Sequence, residues 1–210
     1  MLHCSSHPLI AREMTVLRDV RTPPEAFRRA LHRVSQLLAV ESTAGLALDD
    51  IEVETPLERT TARRLRHPVI LVPVLRAGLG MVEAFLQMIP EAQVGHIGLY
   101  RNEQTLQPVE YYARYPERIS EADVFILDPM LATGGSAVAA AGILRHQGAS
   151  RMRLVALVAA PEGVRRMQET FPNVDIHTAA VDRGLNERGY IVPGLGDAGD
   201  RIFGTGVAQG

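Results

Sequence analysis

The sequence predicts an α/β fold: a mostly parallel, twisted sheet with helices on both faces. Three observations predict it. Apolar runs of strand length recur at 69–75, 94–100, 124–127, 154–159 and 174–180. Segments of helical character separate most of them, and parallel neighbours need crossovers of that length. The runs at 69–75, 124–127 and 154–159 are also continuous rather than alternating, as strands buried on both faces are.

The elements follow in order. Thr22-Pro23-Pro24-Glu25 reads as a helix start, with Thr22 as cap, proline in the first turn and Glu25 three residues on. Phe27, Leu31, Val34, Leu37 and Leu38 then recur at helical spacing, which leaves Arg28, Arg29 and Arg33 mostly on a solvated face. Residues 41–66 are poorly periodic, but Ile51-Glu-Val-Glu-Thr55 alternates like a half-exposed strand or arm. A strand at 69–75 leads to a helix at 79–89 ended by Pro90, and a strand at 94–100 opens a polar stretch to about residue 118. A strand at 124–127 leads to a helix at 137–146 stopped by Gly148, and 154–159, 161–171 and 174–180 read as strand, helix, strand. Residues 182–205 are rich in glycine and nearly helix-free. The expectation is a single domain over 1–210: an N-terminal helix and arm (1–66), an α/β core (67–180) with a long loop at 101–118, and a C-terminal segment (181–210).

Composition narrows the function classes. With 210 residues and 46% hydrophobic content the chain is large enough for a real core. No apolar run approaches the roughly 18–20 residues of a membrane span, and Met1-Leu-His-Cys-Ser-Ser6 lacks the start of a secretory signal. The single Cys4 forms no internal disulfide, so a cytoplasmic location is expected. A net charge of −2 does not argue for nucleic acid. All 22 basic residues are arginine, so no Schiff-base, P-loop or general-base lysine exists. An anionic substrate must be held by arginine, backbone amides, helix ends or metal. The seven histidines show no ligand spacing.

The chemistry concentrates at 124–136, Val-Phe-Ile-Leu-Asp-Pro-Met-Leu-Ala-Thr-Gly-Gly-Ser. Four apolar residues run into an acid, then into small residues, then into an apolar helix. Small residues let backbone N–H groups crowd an anion, and a helix N-terminus adds partial positive charge. Thr133 and Ser136 add hydroxyls, and Asp128 can accept hydrogen bonds from sugar hydroxyls. An acid for a ribose beside a cradle for its phosphate makes a ribose-5-phosphate site. After the first strand, Arg76-Ala77-Gly78 can set a guanidinium and bare amides on pyrophosphate. Gly194-Leu-Gly-Asp-Ala-Gly199 formally matches a dinucleotide fingerprint, but that pattern has meaning only inside a strand–turn–helix unit of about 30 residues.

The 124–136 stretch resembles the phosphoribosyl-pyrophosphate (PRPP) motif of type I phosphoribosyltransferases. Asp128-Pro129, where most of that superfamily carries two adjacent acids, resembles the uracil phosphoribosyltransferase branch. The polar stretch from Leu99-Tyr100-Arg101-Asn102-Glu103 is similar to that family's mobile flap, and 182–205 to its uracil-binding hood. His7-Pro8-Leu9-Ile10, Leu17-Arg18-Asp19 and Glu54-Thr55-Pro56-Leu57 carry the likeness toward the N-terminus, while Ala11-Arg12-Glu13-Met14 and Ser42-Thr43-Ala44-Gly45 depart from it.

The resemblance implies uracil plus PRPP giving UMP and pyrophosphate, a pyrimidine salvage step. It implies that PRPP lies on Arg76, Arg101, Asp128, Pro129, Met130, Leu131, Ala132, Thr133, Gly134, Gly135, Ser136 and Asp197. Uracil would lie on Ile191, Gly196, Asp197 and Ala198, and Asp128, Asp197, Arg76 and Arg101 would carry the catalysis. Mg²⁺ is expected to be held mainly by PRPP's own oxygens. At least a homodimer is implied, with residues 41–60 as its arm, and in some relatives a GTP effector; no nucleic-acid or membrane partner is. Backbone N–H and C=O groups match uracil's edge, and a fixed N–H rejects cytosine's amino group. With an oxocarbenium-like transition state, positioning matters more than a strong base. Three alternatives stay open: a phosphoribosyltransferase for another base, an RNA-binding UMP sensor on the same fold, and an inactive homologue.

Overall fold

The computed structural model describes residues 1–101 and 108–205, with the side chains of residues 101 and 108 outside the description. In chain order the elements are β1 (Leu2–Cys4), α1 (Pro8–Arg18), α2 (Pro24–Thr43), β2 (Leu48–Glu54), β3 (Arg59–Leu65), β4 (Val69–Leu75), α3 (Leu79–Met88), β5 (Gln93–Val94), β6 (His96–Arg101) and β7 (Pro108–Arg114). A 3₁₀ turn (Glu117–Glu121) leads to β8 (Asp123–Leu127), β9 (Met130–Leu131), α4 (Gly135–His146), β10 (Arg151–Ala159), α5 (Pro161–Thr170), β11 (Asp175–Val181), β12 (Gly184–Leu185), β13 (Ile191–Val192) and α6 (Ala198–Phe203).

The main sheet runs β1-β11-β10-β8-β4-β6-β7, with β5 on β4 and β9 on β10. Its pairings are parallel except β6–β7, which is antiparallel. The predicted α/β class is correct, and the five predicted strands form its centre. Strand periodicity divides the core. Val69, Leu71, Phe125, Leu127, Val155 and Leu157 face the layer of α1, α2, α3 and α6. Ile70, Val72, Val124, Ile126, Leu154 and Ala156 face α4 and α5. The predicted face of α2 is the buried one: Phe27, Leu31, Val34 and Leu38 are each at most 1% exposed, worth about 1.5–3 kcal/mol apiece on burial.

Several expectations are corrected. Thr22 does not cap α2: Pro23 holds that position without a side-chain bond, and the Thr22 hydroxyl donates to the Val16 carbonyl at 2.7 Å instead. Arg28 donates to the Ile202 carbonyl and Arg33 to the buried Glu13, so only part of that arginine face is simply solvated. The strand expected at 94–100 is interrupted at Gly95, where a Cβ would lie 2.9 Å from the Tyr115 side chain. The alternating Ile51 segment is one leg of the β2–β3 hairpin, which forms a two-stranded sheet of its own. The C-terminal segment is not nearly helix-free, since α6 lies within it.

Candidate active site

The carboxyl ends of the parallel strands converge on one cavity of about 360 Å³. β4 delivers Arg76. Gly78 is required here because a Cβ would stand 2.3 Å from the Leu127 carbonyl, so glycine lets the Arg76–Gly78 turn close against the end of β8. The Leu75–Arg76 peptide is cis. The exposed Arg76 guanidinium lies 3.6 Å from an Asp200 oxygen and 5.9 Å from the centre of the Phe203 ring. Both partners belong to α6, so the pyrophosphate candidate and the C-terminal segment touch.

β8 delivers Asp128. Its N–H donates to the Val155 carbonyl, and the Pro129 carbonyl accepts from Leu157 and Val158, so β10 grips the chain on both sides of the acid. The Asp128 carboxylate accepts the Met130 N–H at 3.3 Å. Burial pushes its pKa up to about 6 despite that bond, because the site withholds water from the charged form. The chain leaves β9, which pairs with β10, after Leu131 and turns into α4. Gly134 takes φ 76°, and a Cβ there would meet the Gly163 carbonyl at 3.0 Å. The Thr133 hydroxyl accepts the Gly135 N–H. The result is a small-residue loop running into a helix N-terminus, the arrangement a phosphate needs.

The third wall comes from residues 184–200. β12 and β13 make a short hairpin whose turn is held by Asn186, its side-chain oxygen accepting the N–H groups of Arg188 and Tyr190. Val192–Pro193 is cis and Gly194 sits at φ 62°, where a Cβ would be 2.2 Å from the Ile191 carbonyl. Asp197 caps α6, its side chain accepting the Asp200 N–H at 2.9 Å.

The cavity is lined by Arg76, Asp128, Met130, Ala132, Ser136, Ile191, Gly196, Asp197 and Ala198, all predicted. It does not bring in every expected residue. Pro129 and Leu131 are buried in the strand edge, and Thr133, Gly134 and Gly135 form the loop behind Ala132 and Ser136. The Arg101 side chain and residues 102–107 of the expected flap lie outside the described residues. Sequence reasoning missed Arg188, Gly189 and Tyr190, which line the cavity from the turn between β12 and β13. The only signal for them was Asn186 and Gly189 bracketing a turn.

The sequence model for "Uracil phosphoribosyltransferase" matches residues 4–205. The chain belongs to the uracil phosphoribosyltransferase family. It is 52% identical over 201 residues to a uracil phosphoribosyltransferase of Streptococcus equi subsp. zooepidemicus, covering 95% of this chain and 96% of the relative. It is 53% identical over 201 residues to that of Latilactobacillus sakei, at the same coverage. A solved protein from Aquifex aeolicus superposes with a TM-score of 0.93 at 39% identity, covering 99% of this chain and 100% of that one. Hypoxanthine phosphoribosyltransferase from Trypanosoma cruzi superposes with a TM-score of 0.51 at 13% identity over 75% of each chain, a likeness of fold alone. The wall from β12 to α6 is the segment expected as the hood, and the loop after β8 the stretch expected as the PRPP motif.

Proposed function

We propose that this chain transfers the 5-phosphoribosyl group of PRPP to N1 of uracil, giving UMP and pyrophosphate in pyrimidine salvage. The observation that carries the reading is the meeting of three groups of residues on one cavity: Arg76, Asp128 with Met130, Ala132 and Ser136, and Ile191 with residues 196–198. The loop and the start of α4 take the 5′-phosphate, and Asp128 takes ribose hydroxyls. Arg76 and the neighbouring amides take the pyrophosphate and stabilise the charge that develops as it leaves. Ile191 and the peptide groups of residues 196–198 take the uracil edge. One Asp197 oxygen accepts the Asp200 N–H, and in this reading Asp197 orients groups rather than abstracting a proton. Arg101 joins the pyrophosphate by family likeness.

Among the described residues no three histidine, cysteine or acidic side chains stand together as a metal cage. The acids on the cavity, Asp128 and Asp197, suit an ion that keeps most of its oxygen ligands from diphosphate and water. Mg²⁺ held there would neutralise charge on the pyrophosphate. We assign the β2–β3 hairpin as the arm of a homo-oligomer. Among the described residues no helix is long and apolar enough to cross a membrane.

The test is incubation of purified protein with PRPP and Mg²⁺ and each of uracil, cytosine, hypoxanthine and orotate, with and without GTP. UMP from uracil alone is the expected product. A nucleotide from another base, or none from uracil under either condition, overturns the assignment.

A further inference from the structure

The hood bonds to an element that the reaction itself does not call on. Arg18, in the last turn of α1, makes a forked contact with Asp182, its two terminal nitrogens 2.8 and 2.7 Å from the two carboxylate oxygens. The same Arg18 donates to the Gly194 carbonyl at 2.8 Å, and Asp182 accepts the Gly194 N–H at 2.8 Å. Both polar groups of the hood's tightest turn are thus held by one ion pair. The next carbonyl, of Leu195, accepts from Arg201 at 2.9 Å. Arg201 also reaches the Leu17 and Asp19 carbonyls and lies 4.4 Å from the centre of the Phe27 ring. Three consecutive peptide groups are therefore fixed immediately before Gly196, where the cavity-lining backbone begins.

Stability alone is a poor explanation for such a pair. Burying two charges costs desolvation that their attraction roughly repays, so a buried salt bridge is at best a weak net stabiliser. Asp182 is only 8% exposed. Burial pushes its pKa up, but the bonds from Arg18 and the Gly194 N–H outweigh that and hold it below the ordinary carboxylate value. What the pair supplies is geometry. Uracil and cytosine differ by an acceptor replaced by a donor on one edge, and a backbone edge discriminates between them only if it cannot re-aim to suit the wrong base.

We propose that Arg18 and Asp182 are positioning residues for base recognition, holding the Gly194 turn so that the peptide groups of residues 196–198 present one fixed edge to uracil. The inference rests on the uracil reading for its substrate, but not for its mechanical content. Two variants test it, Asp182→Asn and Arg18→Lys, each keeping size while removing charge or fork. In Asp182→Asn the KM for uracil rises about tenfold or more, as small misplacements of a recognition group do, while the KM for PRPP stays within about twofold. Discrimination against cytosine falls in the same variant, and Arg18→Lys gives the same pattern more weakly. Amide hydrogen exchange across residues 194–198 accelerates in both variants with no substrate present. Uracil and PRPP constants that rise together would make the pair merely structural and overturn the proposal. Unchanged exchange across 194–198 overturns it whichever base the wild type uses, and a wild type that ignores uracil refutes the activity while leaving the exchange result to decide the positioning. If Asp182→Asn does not fold, Arg18→Lys carries the same readouts.

Discussion

Asp128 sets the terms at the scale of a single residue. Its carboxyl, with pKa about 6 against an ordinary 3.8, holds a proton more tightly in the folded chain than in the unfolded one. The stability this lends is complete below about pH 3.8 and is lost as pH rises through about 6, so at neutral pH the buried Asp128 carboxylate works against the fold. Asp128→Asn should therefore raise Tm relative to wild type at pH 7 to 8, with the gap closing toward pH 4. The same variant should lose about 10²-fold or more in kcat/KM for PRPP, because the ribose is no longer positioned. In the wild type kcat/KM for PRPP should fall on the acid side through about pH 6. Matched thermal melts and rate profiles across pH check all three, and a variant that is destabilised at neutral pH refutes the burial argument. Asp128 and the small residues after it were legible because an acid, then small residues, then an apolar helix is a local pattern, and the structure sets Asp128, Ala132 and Ser136 on one cavity. Arg18 and Asp182 were not: they stand 164 positions apart, and nothing local to either names the other.

At the scale of elements, the strongly apolar strands and the long periodic helix were legible, and the short or polar pieces were not. α1 carried a usable signal in Ile10, Met14 and Leu17, with Pro8 in its first turn, yet its remaining residues are polar and the stretch read only as a family likeness. β1 has three residues, below any periodicity test, and is a strand only because β11 offers an edge at Leu2–Cys4. α6 has six residues and exists because Asp197 caps it and Ile202 packs into the core. The packing of α5 on the loop after β9 makes a sharper test. A Cβ on Gly163 would lie 2.4 Å from the Ala132 carbonyl and 2.8 Å from that of Leu131. Gly163→Ala should cost about 1–3 kcal/mol by overpacking, and should raise the KM for PRPP because the loop moves with the helix. Gly142, inside α4, has only the Phe171 ring tip at 3.9 Å within reach of a new Cβ. Gly142→Ala should stabilise by about 0.5–1 kcal/mol and leave the KM for PRPP alone. Denaturant melts beside PRPP titrations separate the two glycines, and a neutral Gly163→Ala would mean the loop is not seated on α5.

At the scale of the whole molecule, the β2–β3 hairpin is the part a single chain leaves unfinished. Among the described residues it pairs only with itself, through seven registered pairs from Leu48↔Leu65 to Glu54↔Arg59. A two-stranded ribbon is marginal in water unless something covers it. Ile51 and Val53 are half-buried on one face, while Leu48 remains 43% exposed and Leu57, near the turn, 95% exposed. A leucine that exposed at the end of a ribbon adds nothing to a monomer, but it can anchor in a pocket of a second copy, where a buried leucine is worth about 1.5–3 kcal/mol. In a twofold assembly each copy presents its own ribbon to the other, so that contribution counts twice. The wild type should sediment as at least a dimer at micromolar concentration. Leu57→Asp should shift it toward monomer while leaving the far-ultraviolet circular dichroism unchanged, because the side chain makes no core contact within its own chain. A monomeric wild type, or a Leu57→Asp protein that stays dimeric, would show that the ribbon serves something other than self-association.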